Sequence, residues 1–290
     1  MKISSYIESM RPQTWFLAGV PLIFMSILAA DFNITFSVIT TTISLFLIAV
    51  VFVLGGTNMF NEAFDMEADK HNKPHRPIVS NRITRESAIY LSFLLFALAL
   101  MWSSFLSNGL FYLTLMAIFL GIIYSVPKIR AKDKPLSPMF ILAAGYGFLI
   151  PISPWTVFGP GKILIGILIT TISYVWFLGT TNFKDFKDIR GDKIKGTENL
   201  LIKTGAKRTI TIMIILMSII PSLILGFYIY NNIFPLWSSL AFISFIATFI
   251  LLYKIMRKYS PQLAHIGYNI TYILYPSIFV FLTIGFWLGV

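Results

Sequence analysis

The chain has 290 residues, 57% of them hydrophobic and only 12% charged, with a mean hydropathy of +0.79. Soluble domains carry roughly 25% charged residues, so charge is too scarce here to cover an aqueous surface, and a lipid bilayer is the solvent that fits. With no cysteine, disulfides and thiolate metal sites are excluded, and a net charge of +11 reads as basic loops on one side of a membrane rather than a nucleic-acid footprint.

A membrane-spanning helix needs about 20 mostly apolar residues. In chain order, nine such runs are predicted at 14–32, 36–60, 87–106, 109–127, 137–157, 162–182, 208–230, 234–254 and 266–289. Lys2 and Arg11 ahead of the first run resemble a signal peptide. Leu28-Ala29-Ala30 is a poor cleavage site, however, and more spans follow, so this run is expected to be a retained helix. The fifth run is the least regular, with Gly145, Gly147, Pro151 and Pro154. Trp15 and Trp237 stand near span ends, as interfacial aromatics do.

The charges test this topology. Loops on one side hold 22 of the 23 Lys and Arg residues, and only Lys162 falls on the other. The positive-inside rule then places the N-terminus in the cytoplasm and the C-terminus outside. Eight of the twelve acids crowd two segments, each just after an apolar helix: Glu62, Asp65, Glu67 and Asp69, then Asp185, Asp188, Asp192 and Glu198. Asp65 to Asp188 is an offset of 123 residues, and so is Asp69 to Asp192. The same offset carries Arg11-Pro12 onto Lys134-Pro135 and Arg85 onto Arg208. This predicts one all-α integral membrane domain over 1–290, with parallel four-helix pseudo-repeats at about 1–130 and 131–258 and a ninth helix at 266–289. In such architectures the site lies at the repeat interface.

If the second helix continues through its acidic segment, Asn61, Asp65 and Asp69 recur every four residues and share a face. Asp185, Asp188 and Asp192, at i, i+3 and i+7, share another. Solvated surface charge would explain a single pair. Two such triplets at helical spacing, in symmetric positions, five carboxylates and one amide in all, favour a divalent cation instead. The all-oxygen donor set suits Mg²⁺ or Ca²⁺ rather than zinc or copper, and Mg²⁺ prefers to be shared between a few carboxylates and substrate phosphates. Arg76, Lys128, Arg130, Lys184 and Lys187 are expected close by, in loops on the same side of the membrane, so the composition is that of a diphosphate-handling site.

The run Asn61-x-x-x-Asp65-x-x-x-Asp69, followed by Asn72-x-Pro74-x-Arg76-Pro77-Ile78, resembles the first signature of the UbiA superfamily of intramembrane prenyltransferases. Asp185-x-x-Asp188-x-x-Gly191-Asp192-x-x-x-Gly196 resembles the second, and Tyr124-Ser125 resembles the family's tyrosine-containing stretch before its basic 4–5 loop. The resemblance implies nine helices with both motifs on the cytoplasmic face. It implies Mg²⁺ held by Asp65, Asp69, Asp188 and Asp192 with Asn61 assisting, and a polyprenyl diphosphate bound by Asn61, Arg76, Lys128, Arg130, Lys184 and Asp185. It further implies Tyr124 among the catalytic residues and a lipophilic acceptor. The wording of the first signature is most like branches that prenylate archaeal glycerol-phosphate lipids or chlorins, with quinone-ring prenylation and terpene cyclisation open. Three departures are visible: Glu62 in place of Asp, Asn81 in place of Gly, and Asn199-Leu200-Leu201 in place of Thr-Leu-Pro. A transporter is disfavoured because the predicted helix centres hold no ionisable Asp, Glu, Lys or Arg. A CDP-alcohol phosphotransferase is disfavoured because its D-G-x-x-A-R signature is missing. His71 and His75 read as loop histidines, His265 as interfacial, and Arg11 as either a substrate contact or a topology charge.

Overall fold

The computed structural model describes residues 3–223, 243, 246–248, 250–251, 253–254 and 261–288. Among them every regular element is helical, and eight helices are long and apolar enough to cross a bilayer. The predicted span at 234–254 lies mostly outside the described residues.

A short helix α1 (Ile3–Ser9) leads into α2 (Trp15–Ala29), the first span. The second span is one continuous rod: α3 (Phe36–Phe46), a π-helical segment (Leu47–Leu54) and α4 (Gly55–Asn72) follow without a break. The second helix therefore does run on through its acidic segment, as the periodicity requires. Helices α5 (Arg85–Leu106) and α6 (Asn108–Ser125) are separated by Ser107 alone. Its extended backbone ends one helix, and its hydroxyl caps the next by accepting from Leu110 N at 3.0 Å. The fifth span is broken, as its glycines and prolines foretold, into α7 (Ser137–Leu142), a second π-helical segment (Ala143–Leu149), α8 (Ile150–Ile152) and α9 (Trp155–Phe158). Then come α10 (Ile163–Thr180), α11 (Phe183–Lys195) carrying the second acidic segment, α12 (Leu200–Thr204), α13 (Ala206–Met217) and α14 (Pro261–Leu288).

The main core joins α2, α10, α13 and α14 through Leu28, Ile169, Trp176, Met213 and Phe279, all nearly inaccessible. A second cluster packs α2 on the second span and α5 through Leu22, Ile48 and Phe96. Gly147 explains how the irregular fifth span fits: a Cβ there would stand 2.7 Å from the backbone Cα of Tyr174, so only glycine lets this segment lie directly on α10. Large apolar side chains such as Phe36, Tyr90 and Phe105 are more than 70% exposed, as expected where the surroundings are acyl chains.

The bundle's two ends differ. At one end Lys162, the odd basic residue of the charge count, pairs with Asp31. Its ammonium also stands 5.3 Å from the Phe32 ring centroid and 4.9 Å from that of Phe286. At the other end lie both acidic segments and their loops.

Candidate active site

A cavity of about 930 Å³ runs into the bundle from the acidic end, large for the roughly 300–1,000 Å³ typical of ligand sites. Its wall follows α6 from Tyr124 down to Leu110, a helical rise of about 21 Å. The mouth is polar and the depth apolar, with Leu17, Leu110, Leu113 and Ile150 among the inner lining. Val53 and Leu54 from one π-helical segment, and Tyr146 and Leu149 from the other, also contribute. The extra residue in a π turn rotates the following side chains, and such segments recur at functional sites.

Asn61, Asp65 and Asp69 all line the mouth, confirming the face set by their four-residue spacing. Opposite them, Asp185 and Asp192 of α11 line the same space, with Tyr124 and Lys184. The side chain of Asp188 lies outside the described residues, although its backbone continues α11. Arg76 lines the cavity and pairs with Asp69. Lys184 Nζ donates to Tyr124 Oη at 2.7 Å and stands 5.3 Å from the centroid of that ring, which holds the phenol against the second acidic helix.

Two residues of the 4–5 loop are placed otherwise than expected. Lys128 is exposed and does not line the cavity. Arg130 also lies outside the lining, but touches its rim, donating from Nη2 to Asp65 Oδ1 at 3.2 Å and from Nε to Asp133 Oδ2 at 2.6 Å. The cause is backbone: Arg130 sits in the left-handed region (φ 38°), which turns the chain so that Lys132 enters the cavity instead. Lys132 Nζ lies 2.5 Å from Asp65 Oδ1. With the Asn61 amide oriented so that both its atoms are satisfied, Nδ2 donates to Asp65 Oδ2 at 2.9 Å. Oδ1 then accepts from Ser125 Oγ at 3.0 Å and from Lys132 Nζ at 3.2 Å.

Arg11 is the other addition. It lines the cavity from a left-handed backbone (φ 57°), pinned where Thr14 N and Oγ1 both donate to its carbonyl at 2.8 Å. Its Nε is buried with no hydrogen-bond partner. Burial, and next the charge of Arg11, hold the Arg76 guanidinium below its ordinary pKa, while Asp69 pulls the other way. Cations crowded this way at a cavity mouth form a site for an anion. Their sequence signal was present in the Arg-Pro step and the basic loop, but left-handed turns at non-glycine residues have no pattern of their own.

Glu62, the departure beside Asn61, also lines the cavity, but both its carboxylate oxygens are engaged by other parts of the chain. It is buried and ties the end of α1 to the 73–84 loop, accepting from Ser9 Oγ and from Ile78 N, each at 3.1 Å. Above it, Arg82 donates from Nη2 to Glu8 Oε1 at 2.7 Å and to the His75 carbonyl at 2.6 Å. That hydrogen bond holds the Glu8 carboxyl below the usual carboxylate range. Helix α1 is thereby fastened over the 73–84 loop that carries Arg76.

Among the described residues no three carboxylate or imidazole groups close on one point as a ready-made metal cage. The donor set still fits Mg²⁺, which takes one or two carboxylates and keeps its remaining positions for water and substrate phosphates. Asp65 and Asp69 on one wall, with Asp192 across from them, are such a partial set.

The UbiA prenyltransferase family model matches residues 18–287. The chain belongs to the UbiA prenyltransferase family. It is therefore a prenyltransferase. Relatives include the digeranylgeranylglyceryl phosphate synthases of Pyrococcus furiosus, 29% identical over 72% of each chain, and of Pyrococcus abyssi, 31% identical over 72% of each. That of Sulfurisphaera tokodaii is 27% identical over 81% of this chain and 82% of its own. A solved digeranylgeranylglyceryl phosphate synthase structure superposes with a TM-score of 0.78 at 22% identity, covering 98% of both chains. A UbiA homologue from Archaeoglobus fulgidus bound to DMAPP and Mg²⁺ gives a TM-score of 0.71 at 17% identity over 97% of this chain and 99% of its own. Family membership also makes this a multi-pass membrane protein.

Proposed function

We propose that the chain transfers a polyprenyl group from its diphosphate to geranylgeranylglyceryl phosphate, with Mg²⁺ as the cation, at the cytoplasmic face of the membrane. One observation carries the reading: carboxylates from both motifs and the cations Arg76, Lys132 and Lys184 meet at the mouth of a cavity that is apolar below. A polyprenyl diphosphate has the same two parts. The extra cations Arg11 and Lys73 at that mouth suit an acceptor that is itself anionic, and relatives named digeranylgeranylglyceryl phosphate synthase support the same acceptor. The concentration of 22 of 23 basic residues on the motif side supports the cytoplasmic orientation.

In this reading Asp65, Asp69, Asp188 and Asp192, with Asn61, would hold Mg²⁺, which when bound supplies Lewis-acid stabilisation of the departing diphosphate. Arg76, Lys132 and Lys184 bind and orient the diphosphate oxygens, so that charge developing on the leaving group falls on donors already in place. The allylic carbon–oxygen bond breaks, the glycerol hydroxyl oxygen forms the new bond to that carbon, and its proton passes to a carboxylate of the mouth. The Tyr124 ring, fixed by Lys184, presents a π face to positive charge on the allyl group. The buried lower cavity keeps water from that carbon. The two acidic motifs, one from each proposed four-helix half, contribute opposite walls.

The test is transfer by the purified full chain in nanodiscs, using labelled geranylgeranyl diphosphate with Mg²⁺ or EDTA and a panel of glycerol-phosphate, quinone-ring and chlorophyllide acceptors. A labelled ether lipid, lost with EDTA and reduced about 10²- to 10³-fold in Asp65→Asn and Asp192→Asn, is expected. Product with another acceptor would replace the substrate assignment. A cyclic hydrocarbon formed without any acceptor would replace transfer with cyclisation.

A further inference from the structure

Within the diphosphate site proposed above, on which this inference rests, Asp65 already carries two cations. Lys132 Nζ lies 2.5 Å from Asp65 Oδ1, and Arg130 Nη2 lies 3.2 Å from the same oxygen. The two are held differently. Arg130 is anchored at Asp133 and at the Phe64 carbonyl, which accepts from its Nη1 at 3.2 Å, so it has nowhere to go. Lys132 projects into the cavity on a flexible four-carbon stem, its side chain only 8% exposed, and its ammonium also reaches the Asn61 amide oxygen.

Asp65 and Asn61 are the groups a divalent cation would use. A metal bound to them would add two positive charges to a carboxylate that already carries the Lys132 ammonium and the Arg130 guanidinium, and in so enclosed a place the repulsion falls on Lys132, the cation with a flexible stem. A diphosphate removes the conflict, because it brings anionic oxygens to which the ammonium can turn. We propose that Lys132 is an exchange residue. It holds Asp65 and Asn61 in place before ligands bind, then passes to a diphosphate oxygen as the metal takes the carboxylate. Metal alone then binds weakly, diphosphate and metal each strengthen the other, and the coupling is reciprocal. Lys132 thus acts as a positioning residue that makes the site assemble only around the complete metal–diphosphate pair.

The experiment uses the full-length protein in detergent, with Lys132→Met and Lys132→Arg. Mn²⁺ alone is titrated by electron paramagnetic resonance, and binding of geranylgeranyl thiolodiphosphate is measured separately at saturating Mn²⁺. Thermal midpoints establish that each variant is folded. Exchange predicts opposite changes in Lys132→Met: Mn²⁺ alone binds about tenfold tighter, and the thiolodiphosphate about tenfold weaker. Lys132→Arg, which keeps the charge, should stay near wild type in the Mn²⁺ titration. Weakening of both ligands would reduce Lys132 to a structural part and overturn the proposal. Unchanged Mn²⁺ affinity with weaker thiolodiphosphate would also overturn it, leaving a simple phosphate contact. If the wild type binds no Mn²⁺ even beside the thiolodiphosphate, the metal-site reading itself falls, an outcome separate from either of these.

Discussion

Arg11 and Glu62 show how differently two charged residues beside the same cavity are employed. Arg11 occupies a left-handed backbone conformation that costs an L-residue about 1 kcal/mol or more. Arg11→Gly removes that strain while deleting the cation from the mouth. Its thermal midpoint should therefore hold or rise, while KM for an anionic substrate increases by about 10- to 100-fold, the range for a lost charged hydrogen bond. A parallel loss of stability and activity would show that Arg11 only braces the turn. Glu62→Ala should do the opposite of Arg11→Gly. It orphans Ser9 Oγ and Ile78 N, at about 1–3 kcal/mol per buried donor, and should lower the thermal midpoint and increase hydrogen exchange in the 73–84 loop. Asp would be too short to span both donors, which gives the Glu a physical reason. Asn61, Asp65 and Asp69 were legible in the sequence because helical period alone puts them on one face. Lys132 was not, since choosing it over Lys128 depends on the φ of Arg130, and no residue pattern announces that turn.

Among the elements, the fifth span is the one where packing overrides propensity. Its glycines and prolines marked it as irregular in the sequence, but not what the irregularity serves. The backbone of α10 supplies the reason, since it approaches Gly147 too closely for any side chain. Gly147→Ala should cost about 1–3 kcal/mol through overpacking, read as a lower midpoint in detergent. It should also slow transfer, because Tyr146 and Leu149 beside it line the cavity. A midpoint equal to wild type would mean that α10 shifts without cost. The two long acidic-end helices were predictable from hydropathy and charge. The π-helical segments within the second and fifth spans were not, because a π turn differs from an α turn only in which carbonyl its N–H finds.

At the level of the whole molecule, composition fixed the class and the lopsided charges placed both motifs at one end. The far end shows what hydropathy could not: Lys162, read as a topological exception, is a fastening between the starts and ends of three spans. Lys162→Met should remove the Asp31 pair and both ring contacts. The pair is largely exposed and weak, so the cation–π contacts set the scale at about 1 kcal/mol. Midpoint should fall slightly while transfer persists. Transfer lost with fold intact would place Lys162 in the path of a substrate.

The uninterrupted rod from Phe36 to His71, 36 residues, is about 54 Å long, whereas the hydrocarbon layer is about 30 Å thick. The face that carries Asp65 and Asp69 and the lipid-spanning part are therefore one continuous helical rod. Hydrophobic mismatch is relieved by tilt, and tilt of this rod shifts the height of Asp65 and Asp69 against the headgroups in which an amphiphilic substrate floats. Bilayer thickness thereby becomes a control on catalysis, with transfer rate peaking in acyl chains of one length and falling in shorter or longer ones.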